Sequence, residues 1–462
     1  MIKQRYSHYR WEILIILSFL FLASVFLALN NYLVTALIFG SLFFIFLFFL
    51  RPLWGLYLIA FFLPVNGWAF NFKFLEIPFI DLLALILLIS FILRQIYSFF
   101  FLDKSDKLVF PVASVFALFF LSTLISACFS NYVLSSLWAS FRWILFFYLA
   151  YVVVPFNLIK DRKTLRRVLV LLVSGGFLVA IMGVSSLFFQ DWSDSFFRVR
   201  PLYILGDWIF GDNYNLLAEF LIISSWVMLS LIYWAKSPRQ ARFFKVLALI
   251  LILVNLLTFG RTAWITSVLQ ILGYLVFNFY FKARKKIPWA EIFLSLAVVL
   301  IIASPFIFKM LSLQEANVSS TKNRVLLTQI SLEALSKKPL FGHGTGSFVP
   351  LVADNTRFIA KYGAPLDSHG FGQKLLAENG LVGTVFFLIF IFLIFRKLYR
   401  GIFQYIEHDK LLLPLSLAAA GGFFYQVFNT SYYKGRIWLP IALALVALEI
   451  ISNLNYERRE EN

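Results

Sequence analysis

The chain has 462 residues, of which 61% are hydrophobic, 19% aromatic and only 14% charged. In soluble proteins about a quarter of all residues are charged. The composition of this chain therefore excludes an ordinary soluble domain and indicates a polytopic membrane protein. The formal net charge of +18 is typical of nucleic-acid-binding proteins, but here the basic residues fall in short segments between apolar runs, where they orient a membrane protein. We therefore expect contact with membrane lipids and no nucleic-acid partner.

A membrane-spanning helix needs about twenty mostly apolar residues. Fourteen runs approach that length: 13–29, 32–50, 53–70, 78–97, 108–127, 140–158, 168–189, 214–235, 243–260, 262–281, 288–308, 380–396, 411–430 and 435–452. The sequence therefore predicts an all-α, polytopic integral membrane protein with about 12–14 transmembrane helices and one large outer-face loop that contains short helices. The run 53–70 contains Pro64 and Asn66, so a broken or re-entrant helix is expected there.

The basic residues predict the orientation of these runs. If the amino terminus, with Lys3, Arg5 and Arg10, faces the cytoplasm, every later basic cluster falls on the same side. The long polar segment before Gly380 then lies on the outer face, together with Gly260 and Arg261. The predicted domains are a membrane helical domain of about 11 spans at 1–308, an extracytoplasmic loop at 309–379 that holds the catalytic residues, and a membrane domain of about three spans at 380–462.

Two helices are expected in the outer segment. Ser320 or Thr321 can cap a helix that runs to about Lys337, with Arg324, Thr328 and Ser331 on one face. Asp367 or Ser368 can cap the second helix, which would carry His369 in its first turn, Gln373 one turn later, and end at Gly380. The glycine-rich turn Gly342 to Gly346 between the helices lacks the Lys-Ser/Thr ending of a nucleotide P-loop and follows no strand, so phosphate binding of that kind is not expected.

His369 is the main candidate for catalysis, because a histidine can act as a base near neutral pH and this one lies between small residues at a membrane surface. The alternative is a solvated or helix-capping histidine.

The candidates for anion binding are Arg261 and Arg324. Arg261 lies between two apolar runs without an adjacent acid, an expensive position for a cation unless it meets an anion or faces water. Two guanidiniums and a histidine on one face suit a diphosphate, because arginine offers paired donors to phosphate oxygens. Arg198 and Arg200 can add to such a site. The alternatives are a snorkelling interfacial Arg261 and solvated surface charges at the other positions.

The sequence gives no support for a metal site or a cofactor. It contains no His-Glu-x-x-His pattern, and its single cysteine, Cys128, excludes an intramolecular disulfide and a cysteine-based metal site. Glu378 follows His369 by nine residues, which on one helix places the two on opposite faces. We therefore expect Glu378 to support the helix end.

Several segments, in order, give the chain a resemblance to the O-antigen ligase and polymerase superfamily over roughly residues 195–400. They are Gly260-Arg261-Thr262, Asn323-Arg324 at the outer helix, Lys338-Pro339-Leu340-Phe341-Gly342-His343-Gly344-Thr345-Gly346, Ser368-His369 and Glu378-Asn379-Gly380-Leu381-Val382-Gly383. The resemblance implies that Arg261, Arg324 and His369 correspond to the functional arginines and histidine of the family. It also implies that Gly211-Asp212-Asn213-Tyr214-Asn215 corresponds to the family's asparagine-containing start of an earlier span. Asn215 and Gln373 join Arg198 and Arg200 as expected substrate-binding residues.

The resemblance further implies a metal-independent, inverting glycosyltransferase of the bacterial inner (plasma) membrane, with its active site on the periplasmic or outer face. Its donor would be an undecaprenyl-diphosphate-linked glycan, and its acceptor hydroxyl would belong to a glycan, a lipid such as the lipid A core of lipopolysaccharide, or a protein. Ligase and polymerase both remain open. A flippase or transporter of lipid-linked oligosaccharide is the alternative from another class, and it predicts ionisable residues at mid-membrane, for which Glu219 and Asp81 are candidates. A non-catalytic scaffold is the third, and it predicts that His369 can be replaced freely.

Overall fold

The computed structural model of the chain describes residues 32–65, 67–72, 75–101, 107–190, 197–204, 206–283, 314–406, 409–430 and 432–460. The predicted spans 13–29 and 288–308 lie outside these residues. The described chain is mostly α-helix with a single short hairpin, which confirms the predicted all-α polytopic class.

The helices follow one another through both halves of the chain. They are α1 (Tyr32–Leu50), α2 (Pro52–Phe62), α3 (Phe79–Phe101), α4 (Ala113–Cys128), α5 (Val133–Leu158), α6 (Arg162–Ser185), α7 (Tyr214–Leu231), α8 (Pro238–Leu256), α9 (Arg261–Ala283), α10 (Gln314–Lys337), α11 (Phe348–Ala353), α12 (Thr356–Tyr362), α13 (Phe371–Tyr405), α14 (Leu412–Tyr425) and α15 (Gly435–Glu460). Helix α5 includes the π-helical stretches Ser140–Leu145 and Leu149–Val153. Short 3₁₀ turns extend α6, α7 and α14, at Ser186–Phe189, Ile232–Trp234 and Gln426–Phe428. Strands β1 (Ala69–Phe72) and β2 (Leu75–Pro78) pair antiparallel, with Ala69 opposite Pro78.

Among the described residues, six helices are long and apolar enough to cross a membrane: α3, α5, α6, α7, α13 and α15. Helices α1 and α2 form a pair bent by 118° at Arg51, and α4, α9 and α14 contain shorter apolar stretches. The protein is therefore a multi-pass membrane protein. The predicted run 53–70 is not one continuous helix: α2 ends at Phe62 and the β hairpin follows. Pro64 has no backbone N–H to continue the helix, which explains the early end.

The chain divides into two compact units, one of residues 1–59 and 82–107, the other of residues 60–81 and 108–462. In the first unit, the Ser90 hydroxyl of α3 donates to the carbonyl of Ile45 in α1 at 3.0 Å. The Arg94 guanidinium donates to the carbonyl of Phe49 at 3.3 Å. The second unit contains all the residues that the sequence marks as functional.

Helices α7 and α15 form the interior of the second unit, since 78% of the apolar window of each is buried. Helix α6 approaches α7 closely at Gly176, where an added Cβ would lie 2.5 Å from the Cβ of Ser224. Small residues of this kind allow membrane helices to pack with their backbones close together. Helix α7 begins where the Asn213 side chain accepts from the backbone N–H of Asn215 at 2.9 Å, a normal N-cap that fixes the start of this central helix.

Candidate functional site

Helix α10 carries Arg324 and is held in place by its own apolar core. Leu327, Ile330 and Ala334 pack with Phe348 and Phe358 of the two short helices that follow. The helix ends at Lys337 as predicted, but it begins at Gln314, earlier than Ser320 or Thr321. A serine or threonine caps a helix only if the residues before it leave the helical conformation. The residues before Ser320 are helical, so neither Ser320 nor Thr321 begins the helix.

The segment that carries His369 precedes a helix instead of lying within its first turn. Helix α13 begins at Phe371 with the extended Gly370 as N-cap, and no side chain caps it, so neither Asp367 nor Ser368 has the predicted role. The Ser368 hydroxyl donates to the carbonyl of Gly370 at 3.0 Å, and the Thr430 hydroxyl donates to the carbonyl of Ser368 at 2.9 Å. These bonds fix the backbone on either side of the histidine.

Gln373 joins the histidine segment to α10. Its side-chain oxygen accepts from the backbone N–H of His369 at 3.2 Å, and its amide nitrogen donates to the Thr328 hydroxyl at 2.6 Å. Thr328 in turn donates to the carbonyl of Arg324 at 2.8 Å, one helical turn away. The amide oxygen and the amide nitrogen of Gln373 are thus both bonded within the protein. The side chain therefore fixes the position of the His369 backbone relative to the turn of α10 that carries Arg324.

The helix predicted to end at Gly380 does break there. Gly380 has φ 60° and ψ −162° within α13. The glycine turn fits into this break: the N–H groups of His343 and Gly344 donate to the carbonyls of Ala377 and Glu378, at 3.0 and 2.8 Å. His343 is buried, with its Nε2 3.0 Å from the carbonyl of Ala334. The turn is therefore packed against α13.

Arg261, Arg324 and His369 come from three separate segments, and Arg324 interacts electrostatically with each of the other two. Partial burial, and then the charge of Arg261, lower the pKa of Arg324 below its ordinary value. Burial, followed by the charge of Arg324, lowers the pKa of His369 below 6.5, and Asp367 opposes this shift. The imidazole is therefore mainly neutral at neutral pH, the state in which it can accept a proton.

The Nε of Arg324 is buried and has no hydrogen-bond partner among the described residues. An unsatisfied buried donor on a charged group is costly. Together with the nearby charge of Arg261, this leaves unused hydrogen-bonding capacity and positive potential in the same place.

Of the three other predicted residues, Arg198 and Asn215 have contacts that lead to this centre, and Arg200 does not. The Arg198 guanidinium lies 3.6 Å from the ring centroid of Tyr214, whose hydroxyl interacts electrostatically with Arg324. Asn215 accepts from the Tyr425 hydroxyl at 3.3 Å and lies next to Gly260, the neighbour of Arg261. The described contact of Arg200 is a backbone one, from its N–H to the Ser186 hydroxyl at 3.1 Å, and its side chain is exposed.

Two buried ion pairs near the site were not predicted. Lys374 is only 2% exposed and binds Asp367 at 2.7 Å, with Glu378 3.9 Å away. Arg436 contacts Glu219 at 3.0 Å, and both side chains are almost fully buried. The sequence contains a signal for the contact of Lys374 with Glu378, since the two are one helical turn apart in an apolar helix. It contains none for the second pair, whose members are more than two hundred positions apart.

No group of three or more histidine, cysteine or acidic side chains able to hold a metal ion occurs in the described part of the chain. The cation that acts on His369 is the Arg324 guanidinium, a group that suits an anion.

The O-antigen ligase family model matches residues 216–388. The match includes Arg261, Arg324, His369 and Gln373, whereas Arg198, Arg200 and Asn215 precede it. No curated protein matches the chain. Over these residues the multi-pass membrane protein described here is similar to the O-antigen ligase family, which confirms the resemblance in its sequence.

Proposed function

We propose that the protein is a metal-independent glycosyltransferase that moves a glycan from an undecaprenyl-diphosphate-linked donor to a hydroxyl acceptor, at the outer face of the bacterial inner membrane. The observation that carries this proposal is that Arg324 interacts electrostatically with both Arg261 and His369. In this proposal the two arginines bind a diphosphate, and His369 lies beside it as the base.

The two arginines would bind the diphosphate of the donor. Their mutual repulsion is unfavourable in the free protein, and the unpaired Nε of Arg324 adds an unsatisfied donor. A diphosphate removes both costs, because its oxygens accept charge-assisted hydrogen bonds from guanidinium groups. During transfer negative charge grows on the leaving diphosphate, and the same groups stabilise it. Arg198, through Tyr214, would extend the positive surface.

His369 would act as the base. The neutral imidazole takes the proton of the acceptor hydroxyl as its oxygen attacks the anomeric carbon. The new carbon–oxygen bond forms while the bond to the lipid diphosphate breaks, and the electron pair leaves with the diphosphate. A single displacement of this kind inverts the anomeric centre. Gln373 would hold the histidine segment at a fixed distance from α10, as a positioning residue.

The flippase alternative requires ionisable residues at mid-membrane. Its two candidates lie near helix ends instead: Asp81 is in the first turn of α3, and Glu219 is in the second turn of α7, paired with Arg436. These positions favour the transferase.

Replacement of Arg324 tests the donor site. Arg324→Ala should lower transfer by roughly ten- to a hundredfold, because charge-assisted bonds worth about 1.5–3 kcal/mol are lost. Arg324→Lys should restore activity only in part, since it loses the paired geometry. The measurement is transfer by the purified enzyme with lipid-linked donor. Lys322→Ala, an exposed cation on the same helix, is the matched control and should be fully active. Full activity of Arg324→Ala would exclude this role.

The class of acceptor can be found from the surface glycans of a deletion strain. A polymerase predicts loss of long chains while single repeat units are still attached. A ligase predicts loss of attachment with lipid-linked chains retained. Unchanged surface glycans would contradict both forms of the proposed function.

A further inference from the structure

A cavity of about 370 Å³ lies beside the glycine turn, with Thr345, Gly346 and Ser347 in its lining. Its volume is within the range of about 300–1,000 Å³ usual for ligand sites. One part of its lining is a set of hydroxyl groups, from Ser130, Ser135, Ser136, Thr345 and Ser347. Another part is aromatic, from Tyr132, Trp138 and Trp143.

Three of these hydroxyl groups, from Ser130, Ser136 and Thr345, are held in place by a network within the protein. Ser136 donates to the hydroxyl of Ser130 at 2.9 Å, and Ser140 donates to that of Thr345 at 3.1 Å. Thr345 then donates to the side-chain oxygen of Asn379 at 3.0 Å. The Ser347 hydroxyl is buried and has no hydrogen-bond partner among the described residues. The lining is thus pre-organised and retains an unused donor and acceptor.

The aromatic side chains present apolar surface to the same space. Trp138 and Tyr132 are 56% and 61% exposed, although large aromatic side chains normally bury most of their surface. A sugar ring has the complementary chemistry: its C–H faces pack on aromatic rings, and its hydroxyls exchange hydrogen bonds with side-chain hydroxyls. A lipid tail would leave the unpartnered Ser347 hydroxyl unsatisfied.

A chain of contacts connects this cavity to the candidate catalytic centre. Trp143 stacks on Tyr433 with ring centroids 4.9 Å apart. The Lys374 ammonium lies over both rings, at 5.2 and 4.9 Å from their centroids, and binds Asp367 at 2.7 Å. Asp367 precedes His369 by two residues. The side chains of Tyr433, Lys374 and Asp367 therefore connect the cavity lining to the segment that carries the histidine.

We propose that this cavity binds a sugar ring of the glycan substrate, so that an adjacent sugar is presented to His369. The inference rests on the proposed function, because it is the transfer of a glycan that brings such a ring to this end of the protein. The ring can belong to the acceptor glycan or to a sugar of the donor beyond the one next to the diphosphate.

Kinetics of the full-length enzyme test the site and distinguish these two sources. Trp138→Ala and Ser347→Ala should each raise one KM, by about tenfold for the tryptophan, while kcat at saturating substrate is retained. A raised acceptor KM assigns the cavity to the acceptor, and a raised donor KM assigns it to the donor. Trp54→Ala is the matched control, since Trp54 is 58% exposed in the other compact unit. Its KM values should not change.

A binding measurement separates failure of this site from failure of the proposed function. The probe is the lipid-free oligosaccharide released from the host's own surface polysaccharide, observed by saturation-transfer NMR with the protein in detergent. If wild type transfers glycan but Trp138→Ala and Ser347→Ala leave both KM values and probe binding unchanged, the cavity is not a sugar site. Its aromatics are then interfacial residues. If wild type binds the probe in a Trp138-dependent manner but transfers nothing, the sugar site stands and the transferase does not.

Discussion

At the scale of single residues, the electrostatics of His369 lead to a prediction about pH. A base must be deprotonated to act, so transfer falls as the pH drops through the pKa of His369. Burial and the Arg324 charge lower this pKa, so the acid limb of the wild-type profile should lie below pH 6.5. Arg324→Gln removes the charge and should move the limb to higher pH. Arg324→Lys keeps the charge and should leave the limb in place.

The measurement is kcat/KM for the donor as a function of pH, which reports the groups of the free enzyme. Both variants lose donor affinity, so the position of the limb is compared and not its height. Identical limbs in the glutamine and lysine variants would show that the titrating group is not His369 beside Arg324.

Replacement of His369 itself distinguishes catalysis from positioning. A general base contributes typically a hundred- to ten-thousandfold to the rate. His369→Ala should therefore bind lipid-linked donor normally and transfer poorly. His369→Gln should not restore the rate if proton transfer is the task, because an amide cannot accept the proton. Donor binding and single-turnover transfer are measured on the same preparation. A fully active alanine variant would support the scaffold reading, and a fully active glutamine variant would make His369 a hydrogen-bonding residue.

The residues that sequence reasoning found and missed differ in a physical way. Arg261 was found because it is a cation between two apolar runs, and His369 because it is a histidine between small residues at a predicted membrane surface. Gln373 was expected to bind substrate, but the structure has both ends of its amide bonded to His369 and Thr328. A sequence gives the type of a side chain and its place along a helix. It does not give the partner across the fold, which decides whether the side chain is free for a ligand.

At the scale of elements, the break in α13 predicts a strong effect at Gly380. Its φ of 60° and ψ of −162° are almost confined to glycine, and an added Cβ would lie 2.5 Å from the carbonyl oxygen of Leu340. Gly380→Ala should lower the free energy of unfolding by at least about 1–3 kcal/mol, the usual cost of such backbone strain. Gly372→Ala, in the same helix with open space around its Cβ, should be neutral or slightly stabilising.

Thermal unfolding of the purified variants in detergent measures this difference. Because the glycine turn hydrogen-bonds to Ala377 and Glu378 just before the break, Gly380→Ala should also disturb the lining residue Thr345. Equal unfolding temperatures for the two alanine variants would mean that the break carries no strain specific to Gly380.

The positions of helices were predicted well where a long apolar run defines the helix. They were predicted less well where a cap or a turn sets the end of the helix. The runs 214–235 and 435–452 correspond to α7 and α15. Within the run 53–70 the helix ends at Phe62, in keeping with the break expected from Pro64, and strand β1 begins at Ala69. Ser320 and Thr321 lie inside α10, and neither Asp367 nor Ser368 caps α13, because a side chain caps a helix only where the backbone leaves the helical conformation.

At the scale of the whole molecule, the second unit has two polar ends, which predicts an experiment on topology. At one end, Thr430 bonds to Ser368 and Ser140 bonds to Thr345. At the other, Arg162 bonds to Asp409, beside the basic residues that begin α6. Basic clusters favour the cytoplasm, so the end with Arg162 should face inward and the end with His369 outward.

Single cysteines and a membrane-impermeant thiol reagent test this arrangement in intact cells. The background is Cys128→Ser, because Cys128 is free and exposed. Lys337 and Lys163 are both exposed lysines at helix ends, so Lys337→Cys and Lys163→Cys form a matched pair. The first should be labelled from outside and the second only after the membrane is permeabilised. The opposite pattern would place His369 in the cytoplasm, where a transfer reaction at the outer face is impossible, and would overturn the proposed function together with the topology.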